Sequence, residues 1–252
     1  MITTSQLTNN TKLNGTGDSG LGNILFRIAS IIGIATKNGY TYGFSEWMHQ
    51  EHFINPLPKL PLGSKYSIYE MKKNLYGADV GFVGFDIPDN VEIRGYLGSP
   101  KYFNHCKEII KHQLSPKPLN IFSNINFEEY VILHYRDYPG GGHSTWHYLD
   151  NAYYSKALEF FPDKKVLVVT DNISSARNII KLDCEYVRQS VIEDFYLLTQ
   201  AKNLVMANST FSWWGAYLSG AKTVAPLLWF RDNSINTKYI IPDVYLSEWT
   251  LI

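Results

Sequence analysis

The sequence predicts an α/β protein built on parallel sheets covered by helices on both faces. Two observations carry this. Strand-like and helix-like segments alternate at short spacing through the second half of the chain. The strand candidates YVILHY, KVLVVTD and NLVMA are also continuous apolar, largely β-branched runs with no polar alternation. Strands of that kind are buried on both faces.

The elements follow in order. Residues 1–19, rich in Thr, Asn, Gly and Ser, predict irregular chain. LGNILFRIASIIGIATKN places Leu25, Ile28, Ala29, Ile32 and Ala35 at helical spacing, and Asn38-Gly39 supplies a stop. TYGF (41–44) predicts a short strand, and the prolines at 56, 58 and 61 predict a loop over 50–66. VEIRGYL (91–97) predicts a strand, and KYFNHCKEIIKHQL (101–114) an amphipathic helix ended by SPKP. A linker over 114–127 divides the chain into an N-terminal half, 1–120, and a C-terminal half, 121–252.

The second half predicts strands at 130–135, 165–171, 184–188, 203–207 and 222–226. Helices are predicted over 151–161, 173–182, 191–202 and 209–220, the last closed by Gly220. In such sheets ligands bind beyond the carboxyl ends of the strands. Polar clusters fall at three of those ends: His134 to Tyr138, Thr170 to Asn172, and Asn208 to Thr210. A fourth polar turn, Gly20 to Asn23, precedes the first helix.

Each cluster suits a chemistry and also has a plain structural use. Asn208, Ser209 and Thr210 open a helix, where small polar residues and outward N–H groups suit a phosphate or simply cap. Gly20 and Gly22, with Asn23, allow close approach of a ligand or make a tight turn. Arg136 suits phosphate oxygens or an ion pair with a neighbouring carboxylate. His134 can donate to a ligand carbonyl or fill a polar gap. Asp171 can accept from a base or cap the helix at 173. Trp213 and Trp214 are read as packing residues rather than a sugar platform.

Lys plus Arg equals Asp plus Glu at 23 each, so the net charge is zero. Balanced charge gives no electrostatic reason for a nucleic-acid or anionic-membrane partner. Cys106 and Cys184 are too few and too far apart for a zinc pattern or disulfide framework, so free thiols are expected. No signal-type apolar region opens the chain and no run of about 18 apolar residues occurs, so a cytoplasmic chain without a membrane span is expected. Asp-x-Asp, the P-loop pattern and Gly-x-Ser-x-Gly are all absent.

From about residue 19 to 230 the chain resembles the family 11 glycosyltransferases, the α-1,2-fucosyltransferases. GLGNILFRIA, IRGYLGSPKYF, HYRDY, LDNAYYSKAL and VVTDN carry the resemblance in order, and EDFYLLTQAKNLVMANSTFSWWGAYLSG carries most of it. The resemblance implies a GT-B arrangement: two Rossmann-like domains with parallel sheets facing a central cleft. It implies an inverting, metal-independent transfer of L-fucose from GDP-fucose to a hydroxyl of a glycan acceptor. His134 and Asp171 would hold guanine, Arg136 the pyrophosphate, and Ser209 and Thr210 the same phosphates. Gly20, Gly22 and Asn23 would close over the donor. Asp137, His143, His147 and Asp150 are candidates for the base that deprotonates the acceptor. HYRDY differs from the family pattern in having one Arg where two are usual, and Asn172 stands where a second Asp is common. A different nucleotide-sugar donor and a non-catalytic binding role therefore stand as alternatives.

Overall fold

The computed structural model describes residues 1–7, 20–71, 81–138 and 145–252. They form two compact units, Met1–Lys117 with Tyr239–Tyr245, and Pro118–Lys238 with Leu246–Ile252. The chain therefore does not divide at a single point: the segment 239–245 belongs to the first unit.

In the first unit, α1 spans Leu21–Asn38 and ends at Gly39, whose left-handed φ of 70° a residue without Cβ adopts freely. Nearly every residue from Leu21 to Ala35 is buried, so the helix is covered almost all round rather than on one stripe. Even Arg27 is enclosed, donating to the carbonyls of Gly95 (2.9 Å) and Gln6 (3.1 Å). The strands β1 (Ser67–Glu70) and β2 (Val91–Arg94) pair in parallel. Single parallel bridges extend this pairing from Glu92 to Thr3, from Ile2 to Tyr42, and from Phe44 to Lys59. The opening residues, expected to be irregular, thus include a strand-like segment at Ile2 and Thr3, and residues 8–19 lie outside the described ones. TYGF contributes bridges rather than a strand.

The helix expected over 101–114 is shorter. Residues Pro100–Tyr102 and Asn104–Cys106 are 3₁₀ turns, and α2 is confined to Lys107–Gln113. The tighter turns bring the Tyr102–Phe103 backbone against Gly33 of α1. A Cβ on Gly33 would meet the Tyr102 carbonyl oxygen at 2.1 Å and Phe103 Cα at 2.7 Å. Backbone atoms cannot swing aside as a side-chain tip can. Gly33→Ala is therefore expected to cost about 3 kcal/mol or more, measured by urea unfolding. An unchanged midpoint would contradict this packing.

The second unit is a six-stranded parallel sheet in the order β5-β4-β3-β6-β7-β8. Its strands and helices, in chain order, are β3 (Tyr130–Tyr135), α3 (Asn151–Leu158), β4 (Lys165–Thr170), α4 (Ile173–Ile179), β5 (Glu185–Val187), α5 (Val191–Gln200), β6 (Asn203–Val205), α6 (Thr210–Ser219), β7 (Lys222–Ala225) and β8 (Thr250–Leu251). The expected strands and helices of this half are all present, several of them a few residues shorter, and β8 is additional. The chain first builds outward from β3 to β5, then restarts at β6 on the other side of β3. That reversal is a topological switch point, where open α/β sheets leave a crevice at the strand ends.

Strand alternation assigns the two faces. Val131, Leu133 and Tyr135 pack with Tyr154 and Ala157 of α3 and Ala176 of α4. His134, one residue out of phase, lies against Phe211 of α6 at 5.6 Å. Phe211 in turn meets Phe195 of α5 at 5.5 Å.

α6 explains the paired tryptophans. Ser209 caps it by accepting from the Phe211 N–H at 3.3 Å, and Gly220 ends it with φ 65°. Trp213 and Trp214 are fully buried. Trp213 stacks on Tyr217 at 5.1 Å and meets Trp214 and Trp249 edge-on at 5.1 and 5.5 Å. They are core residues of this unit. Cys106 is buried, Cys184 is half-buried, and both are free thiols. Among the described residues no helix is long and apolar enough to cross a membrane.

Candidate active site

The switch point lies between β3 and β6. The residues leaving β3 are Arg136, Asp137 and Tyr138; those leaving β6 run to Asn208 and the start of α6. Six of the expected site residues therefore share one end of one sheet: His134, Arg136, Asp137, Asn208, Ser209 and Thr210. Asp171 joins them from the end of β4. Gly20, Gly22 and Asn23 belong to the first unit, where Gly20 precedes α1 and the other two form its first turn. A Cβ on Gly20 would meet nothing within 4 Å.

Arg136 forms an ion pair with Asp171, and Asp171 also accepts the Asp137 N–H at 2.9 Å. Both partners are substantially solvent-accessible, 47% and 36% exposed, so the pair itself contributes roughly 0–1 kcal/mol. An exposed pair of this strength can be exchanged for a stronger anion. Asp171 was expected to be open to a base or to cap α4. The cap is instead Asn172, whose side chain accepts the Ser175 N–H at 3.1 Å.

Asp137 is held on both carboxylate oxygens. Its Oδ1 accepts from the Ser175 hydroxyl at 2.9 Å and its Oδ2 from the Asn172 amide at 2.8 Å. Tyr135 bonds the same Ser175 hydroxyl at 2.9 Å. Asp150 caps α3, accepting the Tyr153 N–H at 3.2 Å. The side chain of His147 makes no hydrogen bond among the described residues. His143 lies outside them.

Asn208 is buried and donates its amide hydrogens to two backbone carbonyls, His147 at 2.7 Å and Trp229 at 3.1 Å. Its backbone carbonyl accepts from the Tyr138 hydroxyl at 3.0 Å. Tyr138 stacks on Trp146, which stacks on Phe230. Burial pushes the Tyr138 phenol up to about 12, so it stays a neutral donor. Asn208 thus holds the start of α6, the His147 segment and the β3 exit in one frame. Its amide hydrogens serve that frame rather than an open site.

Two buried titratable groups flank these residues. Burial, helped by the Arg136 charge, lowers His134 to about 3. It is therefore neutral, and its enclosed Nδ1 has no partner among the described residues. Leaving such an atom unpaired costs about 1–3 kcal/mol, which marks it for explanation. Asp194, in the first turn of α5, accepts the Gln189 N–H at 3.1 Å. Burial raises it to about 7, with the nearby Glu193 and Asp171 charges adding to the shift. Asp194 was not among the expected site residues.

These two groups make opposite contributions to acid stability. An unfolded His gains a proton near pH 6.5 and a folded His134 only near 3, so stability falls as pH drops through that window. Asp194 holds its proton in the folded state up to about pH 7 but in the unfolded state only up to about 4, so stability rises as pH drops through that window. Asp194→Asn removes the second effect alone. The variant is expected to be the more stable at pH 8 and to lose on the order of 3 kcal/mol of that advantage by pH 4. Urea unfolding across this range reads the difference; parallel wild-type and variant profiles would contradict the burial of an ionisable Asp194.

Among the described residues no group of three His, Cys, Asp or Glu side chains is placed to hold a metal ion. A cavity of about 410 Å3 opens beside Arg136 and Asp137, between the exit of β3, the start of α3 and α4. A second of about the same volume lies beyond His147, walled by Leu227 and Leu228.

Comparison with known proteins identifies the family and the fold. An α-1,2-colitosyltransferase of Escherichia coli is 28% identical over 210 residues, covering 73% of this chain and 69% of that protein. The O-antigen biosynthesis glycosyltransferase WbnK of E. coli is also 28% identical, over 70% of each chain. A rabbit galactoside α-(1,2)-fucosyltransferase 1 is 31% identical over 112 residues, 40% of this chain and 30% of that one. The structure of an Arabidopsis thaliana FUT1 mutant with GDP superposes with a TM-score of 0.51 at 15% identity, over 84% of this chain and 71% of that one. It shares the GT-B-like fold. The family model described as Glycosyl transferase family 11 matches residues 72–252. With most of the chain matched, including the whole described switch-point cluster, the protein is a glycosyltransferase and belongs to glycosyl transferase family 11.

Proposed function

We propose that the chain transfers L-fucose from GDP-fucose to a glycan hydroxyl in α-1,2 linkage, with inversion and without a metal ion. The observation that carries this is the placement of Arg136 and the Ser209-capped start of α6 on the two sides of the switch point. When the sugar–phosphate bond breaks, negative charge grows on the departing diphosphate. A guanidinium and a helix N-terminus stabilise that charge most where it is largest, in the transition state.

The other residues take roles around this pair. Asp171 orients Arg136 until a diphosphate replaces it as partner. Its carboxylate keeps acceptor capacity beyond the two bonds it makes, enough to receive a guanine N–H. Neutral His134 faces the same base. Ser209 and Thr210 lie beside the phosphates. His147 is assigned as the base for the acceptor hydroxyl, since its side chain makes no hydrogen bond among the described residues, whereas Asp137 is held in place by Ser175 and Asn172.

The relatives named as α-1,2-fucosyl- and colitosyltransferases support the linkage and a fucose-like sugar, and the Arabidopsis structure with GDP supports a guanosine diphosphate leaving group. The single Arg of HYRDY keeps another GDP-, UDP- or dTDP-sugar as the alternative donor, and the colitosyltransferase relative makes GDP-colitose one to try. Thermal unfolding with GDP, GDP-fucose, GDP-colitose, GDP-mannose, UDP-sugars and dTDP separates these. A ligand that binds only the folded state raises the melting temperature by mass action. The expected result is a shift with GDP and GDP-fucose in EDTA. A shift only with UDP or dTDP compounds, or only with added divalent metal, would contradict the proposal.

A further inference from the structure

We infer that Asp137 is a positioning residue: its carboxylate locks the exits of β3 and β4 together and so fixes how Arg136 and Asp171 are presented to a diphosphate. The inference rests on the phosphate role proposed above for Arg136. The lock lies just beyond the end of the sheet. β3 and β4 pair in parallel as far as Tyr135 and Thr170. Past that point side chains take over from the backbone ladder. Arg136 pairs with Asp171, and the Asp137 carboxylate accepts from the Asn172 amide at 2.8 Å. The Asp137 N–H also donates to Asp171 at 2.9 Å. Asp171 is therefore held from two sides, by the guanidinium and by the Asp137 backbone.

Exposure decides which of these contacts sets the geometry. The Arg136–Asp171 pair is open to solvent, screened and readily exchanged. Asp137, Asn172 and Ser175 are half-buried, and hydrogen bonds to an ionised carboxylate are the stronger kind. Each partner of Asp137 is also anchored from behind. Ser175 gives its one hydroxyl proton to Asp137, so its oxygen accepts from the buried Tyr135 hydroxyl at 2.9 Å. Burial raises the Tyr135 phenol, which keeps it a donor. Asn172 accepts the Ser175 N–H at 3.1 Å on its side chain and donates its own N–H to Thr170 Oγ1 at 3.0 Å. The series Tyr135, Ser175, Asp137, Asn172, Thr170 thus starts on β3 and ends on β4, and Arg136 and Asp171 lie inside the circuit it closes. None of its bonds involves the guanidinium, so the circuit stays intact when Arg136 turns from Asp171 to a phosphate.

The lock has a direction. The Asn172 carbonyl oxygen is turned to the Ser175 N–H, so its amide hydrogens face Asp137. Asp137→Asn would set two amide groups donor to donor at this contact. Asn172→Asp would set two carboxylates against each other, which is unfavourable while both are ionised. The two changes together restore a carboxylate facing an amide, with the hydrogen bond reversed. An Asp at 172 can still cap α4, and an Asn at 137 can still accept from Ser175. The swap therefore rebuilds the lock while moving the charge off residue 137.

The test titrates the intact chain with GDP and with GMP in EDTA, at a temperature where circular dichroism shows each protein folded. The proteins are the wild type, Asp137→Asn, Asn172→Asp, the variant with both changes, and Ser175→Ala, which removes one bond of the lock without altering charge. The preference for GDP over GMP is expected to fall about tenfold in Asp137→Asn and in Asn172→Asp and about threefold in Ser175→Ala, and to return to within about threefold of the wild type in the swap. Charge alone would act with opposite signs, strengthening GDP binding in Asp137→Asn and weakening it in Asn172→Asp. An unchanged or larger preference in Asp137→Asn or in Ser175→Ala would overturn the inference, as would a swap that recovers nothing, which would make the Asp137 carboxylate a direct contact of the ligand. A wild type without preference for GDP over GMP would instead overturn the phosphate role of Arg136, and this inference with it.

Discussion

Replacing Arg136 with Ala is expected to lower kcat/KM by about 10²–10³-fold while leaving stability almost unchanged. The size follows from removing one preorganised charge aimed at a developing anion, a loss of about 3–4 kcal/mol in the transition state. The small effect on folding follows from exposure: a half-exposed pair with Asp171 contributes at most about 1 kcal/mol. Steady-state kinetics alongside urea unfolding read both quantities. Arg136→Lys is expected to recover only part of the activity, because an ammonium keeps the charge but loses the planar fork. Full activity in Arg136→Ala would remove Arg136 from the mechanism, and a large loss of stability would make its role structural.

Replacing Trp213 with Ala is expected to have the reverse profile. Its ring is fully buried against Trp214, Tyr217 and Trp249. Truncation leaves a cavity with little freedom to collapse, at a cost of about 3–5 kcal/mol. Trp213→Phe retains much of the ring contact and is expected to cost less than half as much. Activity should follow the folded fraction, because Trp213 begins the second turn of α6 and reaches no ligand itself. A Trp213→Ala protein of wild-type stability and reduced activity would reverse the assignment and make the ring a substrate platform. Packing below also constrains α6, since a Cβ on Gly215 would meet Leu198 Cβ of α5 at 2.6 Å.

The second unit was largely readable from sequence because its signals are local. β3 and β4 are unbroken apolar runs, α5 opens with a Ser190–Glu193 capping box, and α6 ends at Gly220. Arg136 and Asn208–Thr210 could be placed at the carboxyl end of the sheet, where such folds bind ligands, because they follow predicted strands. The first unit was less readable because its pairing is distant and sparse. Thr3 bridges Glu92 and Ile2 bridges Tyr42 through single parallel contacts, which leave no period-two pattern. The shortening of α2 depends on Gly33 meeting Tyr102 and Phe103, and the return of 239–245 to the first unit depends on tertiary contact. Within the site, residue type suggested which groups could act but not which were committed. Asp137 looks like a free carboxylate until Ser175 and Asn172 are folded onto it. Asp194 did leave a trace: a carboxylate one helical turn before Leu197 and Leu198, on the face those leucines bury.

The central claim is that Arg136 grips the phosphate that leaves with the nucleotide, and binding of GDP and GMP tests it most directly. Titration calorimetry in EDTA would give the affinity of each for the wild type and for Arg136→Ala. The wild type is expected to bind GDP about 10- to 100-fold more tightly than GMP, the size of one charge-assisted contact. In Arg136→Ala that preference should shrink to near unity, with GMP binding little changed. The same GDP-over-GMP ratio in both proteins would contradict the claim and place the terminal phosphate elsewhere.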